Sequence, residues 1–147
     1  MKKKILVSSC LLGEKCRYNG SGEEDSYVLE YIKNMKVYSI CPEVMGGMST
    51  PRTPCEIYKD RVVSKDGKDK TAYFEKGATM VVDLAKQEEI DLAIFKSRSP
   101  SCGCGQIYDG TFRGVLIQGD GICVRKLKKN GIRVINNEEL KKVMSKA

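Results

Sequence analysis

Seven cysteines and no histidine set the chemistry open to this 147-residue chain. Without imidazole there is no Ser-His-Asp triad, no Cys-His pair and no imidazole metal ligand or general base. Catalysis has to run on thiol, carboxylate, hydroxyl, lysine, arginine or backbone. Three of the cysteines stand just after stretches that read as buried strands. Cys10 follows Ile5 to Ser9, Cys41 follows Lys36 to Ile40, and Cys102 lies in the loop after Asp91 to Lys96. In an open parallel sheet the C-terminal strand ends share one edge, and ligands bind in the crevice there. The strand assignments alone therefore bring three thiols, distant in sequence, to one place.

Soft thiolates favour zinc or iron–sulfur clusters. A structural zinc site takes four ligands in short paired spacings, and the sequence has no C-x2-C pair. Widely separated single cysteines suit a cubane cluster better, and three protein ligands would leave one iron open to a substrate. Cys16, Cys55 and Cys123 read as packing residues, because cysteine is small, apolar and often buried. Cys104, in Cys102-Gly103-Cys104, is a further ligand, half of a redox pair, or packing.

Several neighbours of these thiols carry reactive groups. Glu43 is two residues after Cys41 and is either an acid/base group in a closed cleft or one half of a salt bridge. Ser99 and Ser101 flank Pro100 beside Cys102, where they either orient a water or satisfy loop amides. Arg17 and Arg52 either hold an anion or a pyrimidine carbonyl, or pair at the surface. Gly46 and Gly47 permit close backbone approach or positive φ whatever the function, and are expected beside the substrate with Arg17 and Arg52.

Strands and helices alternate along the chain. A capped helix is expected from Asp25 or Ser26 to about Asn34, between the first two strands. Cys41 to Glu56 is irregular, with two adjacent glycines and three of the four prolines. Ile57 to Ser64 reads as a strand closed by a turn at Lys65-Asp66-Gly67-Lys68, a small hairpin excursion. Ala72 to Glu89 is the strongest helix, with Phe74, Ala78, Val81, Val82 and Ala85 at helical spacing. Gly119-Asp120-Gly121 precedes a helix over Ile122 to Lys129, ended by Asn130-Gly131. A strand over Ile132 to Ile135 and a helix over Glu138 to Ser145, capped by Asn137, finish the chain. This order implies an α/β domain over residues 1–147, with a mostly parallel sheet and helices on both faces.

Composition sets the class. The chain is 41% hydrophobic and 31% charged, as in ordinary globular proteins, with no apolar run of membrane length. The apolar stretch after Lys2 to Lys4 is too short for a signal peptide. A cytoplasmic setting with reduced thiols follows as the expectation. The net charge of +7 favours anionic partners. Much of it sits in Arg125, Lys126, Lys128, Lys129 and Arg133, which read as a solvated helix face, and no array of stacking aromatics supports nucleic acid.

The ordered motifs resemble a family. Ser8-Ser9-Cys10-Leu11-Leu12-Gly13, Arg17-Tyr18-x-Gly20, Cys41-Pro42-Glu43 with Gly46-Gly47 and Pro51-Arg52, Ser99-Pro100-Ser101-Cys102-Gly103, and Ile107-Tyr108-Asp109-Gly110 are similar to those of thiouracil desulfidases. Gly119-Asp120-Gly121 and Asn130-Gly131-Ile132 extend the likeness over nearly the whole chain. The resemblance implies a Rossmann-like α/β/α domain. It implies a [4Fe-4S] cluster on Cys10, Cys41 and Cys102, oxidised and lost or replaced by zinc in air. It implies non-redox removal of sulfur from a thiolated pyrimidine, giving the carbonyl and sulfide. The family's acid/base carboxylate matches Glu43, and its serine lies in the Ser99-Pro100-Ser101 loop. Two positions depart from the pattern: Asn19 stands where an acidic residue is expected, and Cys123 where a small hydroxyl is. The competing readings are a zinc-binding or persulfide-carrying redox module and a basic nucleic-acid-binding domain.

Overall fold

The protein is described by a computed structural model covering residues 2–146. Met1 and Ala147, the ends of the expected domain, lie outside the described residues. Four strands form the central sheet: β1 (Lys4–Ser8), β2 (Lys36–Ile40), β5 (Leu92–Phe95) and β8 (Arg133–Asn136). Their order is β2-β1-β5-β8, and every pairing is parallel. Two antiparallel hairpins lie apart from it, β3 (Cys55–Tyr58) with β4 (Arg61–Ser64) and β6 (Gln106–Tyr108) with β7 (Leu116–Gln118).

Side chains alternate across a strand, so a strand covered on both faces is apolar throughout. Leu6 of β1 and Ala93 and Phe95 of β5 face one layer. Ile5, Val7, Leu92 and Ile94 face the other. Helices α3 (Thr71–Gln87) and α4 (Ile122–Lys129) cover the first face, through Phe74, Ala78, Val81, Ile122, Val124 and Leu127. Helices α1 (Ser26–Tyr31) and α5 (Asn137–Ser145) cover the second, through Val28 and Leu140. Burying each large apolar side chain is worth about 1.5–3 kcal/mol. The three-layer α/β/α class expected from strand–helix alternation is the one observed.

Local differences from the sequence reading have physical causes. The hairpin turn is Lys59-Asp60, with φ of 48° and 62°, not Lys65 to Lys68. The turn around Gly67 exists but follows β4, closed by Gly67 N–H donating to the Ser64 carbonyl at 2.9 Å. A short helix, α2 (Pro42–Met45), interrupts the segment expected to be irregular, with Pro42 at its first turn. The β6/β7 hairpin was not expected at all. Asn136, rather than Asn137, caps α5 in a capping box with Glu139. The Asn137 amide oxygen instead accepts from Ser97 N–H at 2.8 Å and anchors the loop after β5.

Candidate active site

The chain order of the sheet reverses between β1 and β5, and the crevice beyond the strand ends there is the usual ligand site of such sheets. A cavity of ≈ 520 Å³ opens at that edge, and Cys10, Cys41 and Cys102 all line it. Cys10 lies in a 3-10 turn (Ser9–Leu12) that prolongs β1. Cys41 is the N-cap of α2, directly after β2. Cys102 sits in the loop after β5, where its amide N–H donates to Ser99 Oγ at 3.0 Å.

Helix α2 is seated by two glycines. A Cβ at Gly77 of α3 would lie 1.8 Å from the Pro42 carbonyl oxygen, and one at Gly46 would lie 2.0 Å from that of Tyr73. Their bare backbones let α2 lie directly on α3, which fixes Cys41 and Glu43. Gly46 and Gly47 were expected on the substrate side; they face α3 instead and are absent from the cavity wall.

Glu43 points into the cavity between two partners. Its Oε2 accepts from Ser101 Oγ at 2.8 Å, and its Oε1 accepts from Arg52 Nε at 3.0 Å. The ion pair is largely buried, with Arg52 and Glu43 side chains 6% and 14% exposed. Arg52 also donates to the carbonyls of Ser49 and Cys16 and to Thr50 Oγ1. Four of the five guanidinium N–H donors are therefore used inside the protein. The geometry makes Arg52 a support for Glu43. Arg17 lines the cavity and pairs with Glu23 at 3.4 Å.

The two loop serines separate by geometry. Ser99 Oγ accepts from the amides of Ser101 and Cys102 and shapes the loop. Ser101 Oγ touches both Glu43 and, at 3.6 Å, Cys102 Sγ. Of the two hydroxyls, Ser101 is the one that spans carboxylate and thiol.

The thiols have an electrostatic demand of their own. Burial pushes the Cys102 thiol up to about 12, against smaller opposing hydrogen bonds from Ser8 and Ser101. Hydrogen bonding with Cys16, and then burial, hold Cys41 far above the ordinary thiol range. Buried thiols of this kind ionise readily only against a bound cation, which is what a metal centre supplies. Among the described residues no group of three His, Cys, Asp or Glu side chains could hold a single metal ion. The three thiols share a cavity rather than a point, and a donor set of histidine-free thiols fits an iron–sulfur cluster, whose ligands sit on separate irons.

The other four cysteines divide. Cys16 packs against the second core layer, as expected, and also lines the cavity, where its carbonyl accepts from the Cys41 thiol at 3.9 Å. Cys55 also lines the wall, where burial raises its thiol to about 11. Cys55 packs against the first core layer, as expected; the place of both residues on the cavity wall was missed because loop and hairpin positions cannot be placed from sequence as strand ends can. Cys123 is fully buried in α4, as expected. Cys104 is buried outside the cavity wall and reaches the Val134 carbonyl at 3.5 Å. Lys96, next to the end of β5, was missed. It lines the cavity and shares Glu23 with Arg17, at 3.2 Å. Its place at a strand end was the available signal. Asn19 holds its turn by accepting from Ser21 N–H and Oγ, which an aspartate would also do.

Sheet, switch point and cavity together define an α/β protein whose strand-end crevice gathers three thiols beside a hydrogen-bonded carboxylate–hydroxyl pair. The model of the 2-thiouracil desulfurase family matches residues 5–139, and the chain belongs to that family. It is 40% identical, over 95% of its length and 99% of the relative's, to the uncharacterized protein YbbK of Bacillus subtilis strain 168. A solved structure described as the [4Fe-4S]-dependent thiouracil desulfidase TudS superposes with a TM-score of 0.86. That protein is 38% identical, and the alignment covers 99% of this chain and 100% of that one. Among the described residues no helix is long and apolar enough to cross a membrane.

Proposed function

We propose that the chain is a [4Fe-4S]-dependent desulfidase that converts a thiolated pyrimidine and water into the oxo-pyrimidine and sulfide. The observation that carries this is the Glu43–Ser101 hydrogen bond of 2.8 Å, set beside Cys102 in a cavity that also holds Cys10 and Cys41. Membership of the desulfurase family and the likeness to TudS support it. Cys10, Cys41 and Cys102 would hold the cluster. When bound, that cluster supplies a Lewis-acidic iron to take the substrate's sulfur and make it a better leaving group.

The chain's own residues handle the proton. In this reading Glu43 Oε2 accepts a proton from the attacking water, the role imidazole fills in other hydrolytic sites. Ser101 Oγ orients that water and passes the proton between Glu43 and the sulfur side. Arg52 keeps the carboxylate turned toward Ser101 through its bond to Oε1. The expected readout is sulfide and uracil in equal amounts from 2-thiouracil, after anaerobic reconstitution with iron and sulfide. A reconstituted, brown protein that releases neither contradicts the assignment.

A further inference from the structure

The loop between β6 and β7 belongs to no step described above, yet it closes one wall of the cavity. Phe112 and Gly114 from this loop line the space, as does Tyr108 at the end of β6. Glu56 of β3 straps the loop: one oxygen, Oε1, accepts from Gly110 N–H at 3.0 Å and from Phe112 N–H at 3.1 Å. Asp109 Oδ1 accepts from the Thr111 amide at 3.0 Å and its hydroxyl at 2.6 Å. Phe112 itself has φ of +57°, a left-handed conformation that bulky side chains seldom adopt. Such backbone persists where surrounding contacts over-determine it, and such sites cluster at ligand clamps. The Glu56 carboxylate is the contact that does so here.

We propose that Phe112 is the stacking wall for the substrate's pyrimidine ring and that Glu56 is the positioning residue that holds it there. This rests on the thiopyrimidine reading and names what selects the ring. A planar heterocycle needs an apolar π face as well as polar partners at its edge. The same cavity is lined by the polar pair Glu43 and Ser101. Of the cavity's aromatic residues Tyr18, Tyr108 and Phe112, Tyr18 is 41% exposed, and Phe112 alone sits in the strapped loop and brings no hydroxyl.

The chain has no tryptophan, so Phe112→Trp creates a single fluorescent reporter. Uracil titrated into the anaerobically reconstituted variant is expected to quench it saturably. Tyr73→Trp, on α3 away from the cavity, is expected to show no quenching. In turnover of 2-thiouracil, Phe112→Leu is expected to raise KM about ten-fold or more, with kcat within about two-fold and unchanged iron content. Phe112→Tyr restores KM, Glu56→Ala repeats the KM defect, and Glu56→Gln recovers part of it. A wild-type KM in Phe112→Leu, or equal quenching of both tryptophan reporters, overturns the stacking assignment. Absence of sulfide release from the wild-type protein itself would instead overturn the functional reading beneath it.

Discussion

Glu43, Ser101 and Arg52 act as one unit, so their substitutions should separate chemistry from support. Glu43→Gln and Ser101→Ala keep the three thiols and remove the proton acceptor or its relay. Each should lower kcat by about 10²–10⁴ while iron content stays at the wild-type level, as read by paired turnover and metal assays. Arg52→Met leaves a largely buried carboxylate without its cation. Thermal unfolding should show a loss on the order of 3 kcal/mol along with lost activity. The thiols carry a pH signature as well. The folded Cys102 thiol titrates near 12 against 9.0 when exposed, so the fold binds its proton more tightly than the unfolded chain. Its contribution is complete below about pH 9 and is lost as pH rises toward 12. Urea midpoints of metal-free protein should therefore fall over that window, and Cys102→Ala should flatten the fall.

Elements carry these residues to the site, and they were unequally legible. The three strand-end cysteines were readable because the buried strands are short apolar runs and their parallel order fixes which ends meet. Glu43 followed from its spacing after Cys41. That Cys16 also reaches the cavity wall was not readable, because Leu11 to Gly22 has no periodicity to fix where it folds back. The role of Arg52 was half visible: its type invited a substrate contact, but only the folded loop shows its donors spent on Glu43, Cys16, Ser49 and Thr50. The β6/β7 hairpin escaped because its strands are three residues each, and the Lys59-Asp60 turn because it lacks glycine. Gly77 was invisible as a site determinant for a related reason: a glycine within a strong helix looks like a defect. Gly77→Ala would drive a methyl into the Pro42 carbonyl. It should lift α2 from α3, displacing Cys41 and Glu43 together, with loss of both cluster uptake and thermal stability.

At the scale of the molecule, charge and topology serve different ends. The α4 cations pair outward, Arg125 with Asp60, Lys126 with Glu75 and Lys128 with Asp120. Exposed pairs of this kind are worth about 0–1 kcal/mol each, and they make the basic helix a solvated face as the sequence suggested. The sheet's reversal between β1 and β5 does the functional work, because it gathers three loops at one edge. Cys10, Cys41 and Cys102, and no other cysteine, are the thiols expected to hold the cluster. Iron and acid-labile sulfide measured on anaerobically reconstituted variants test this directly. Wild type, Cys16→Ser and Cys123→Ser should each carry about four irons and four sulfides per chain. Cys10→Ser, Cys41→Ser and Cys102→Ser should fall well below that. Full occupancy in any of those three, or its loss in Cys16→Ser alone, would contradict the assignment.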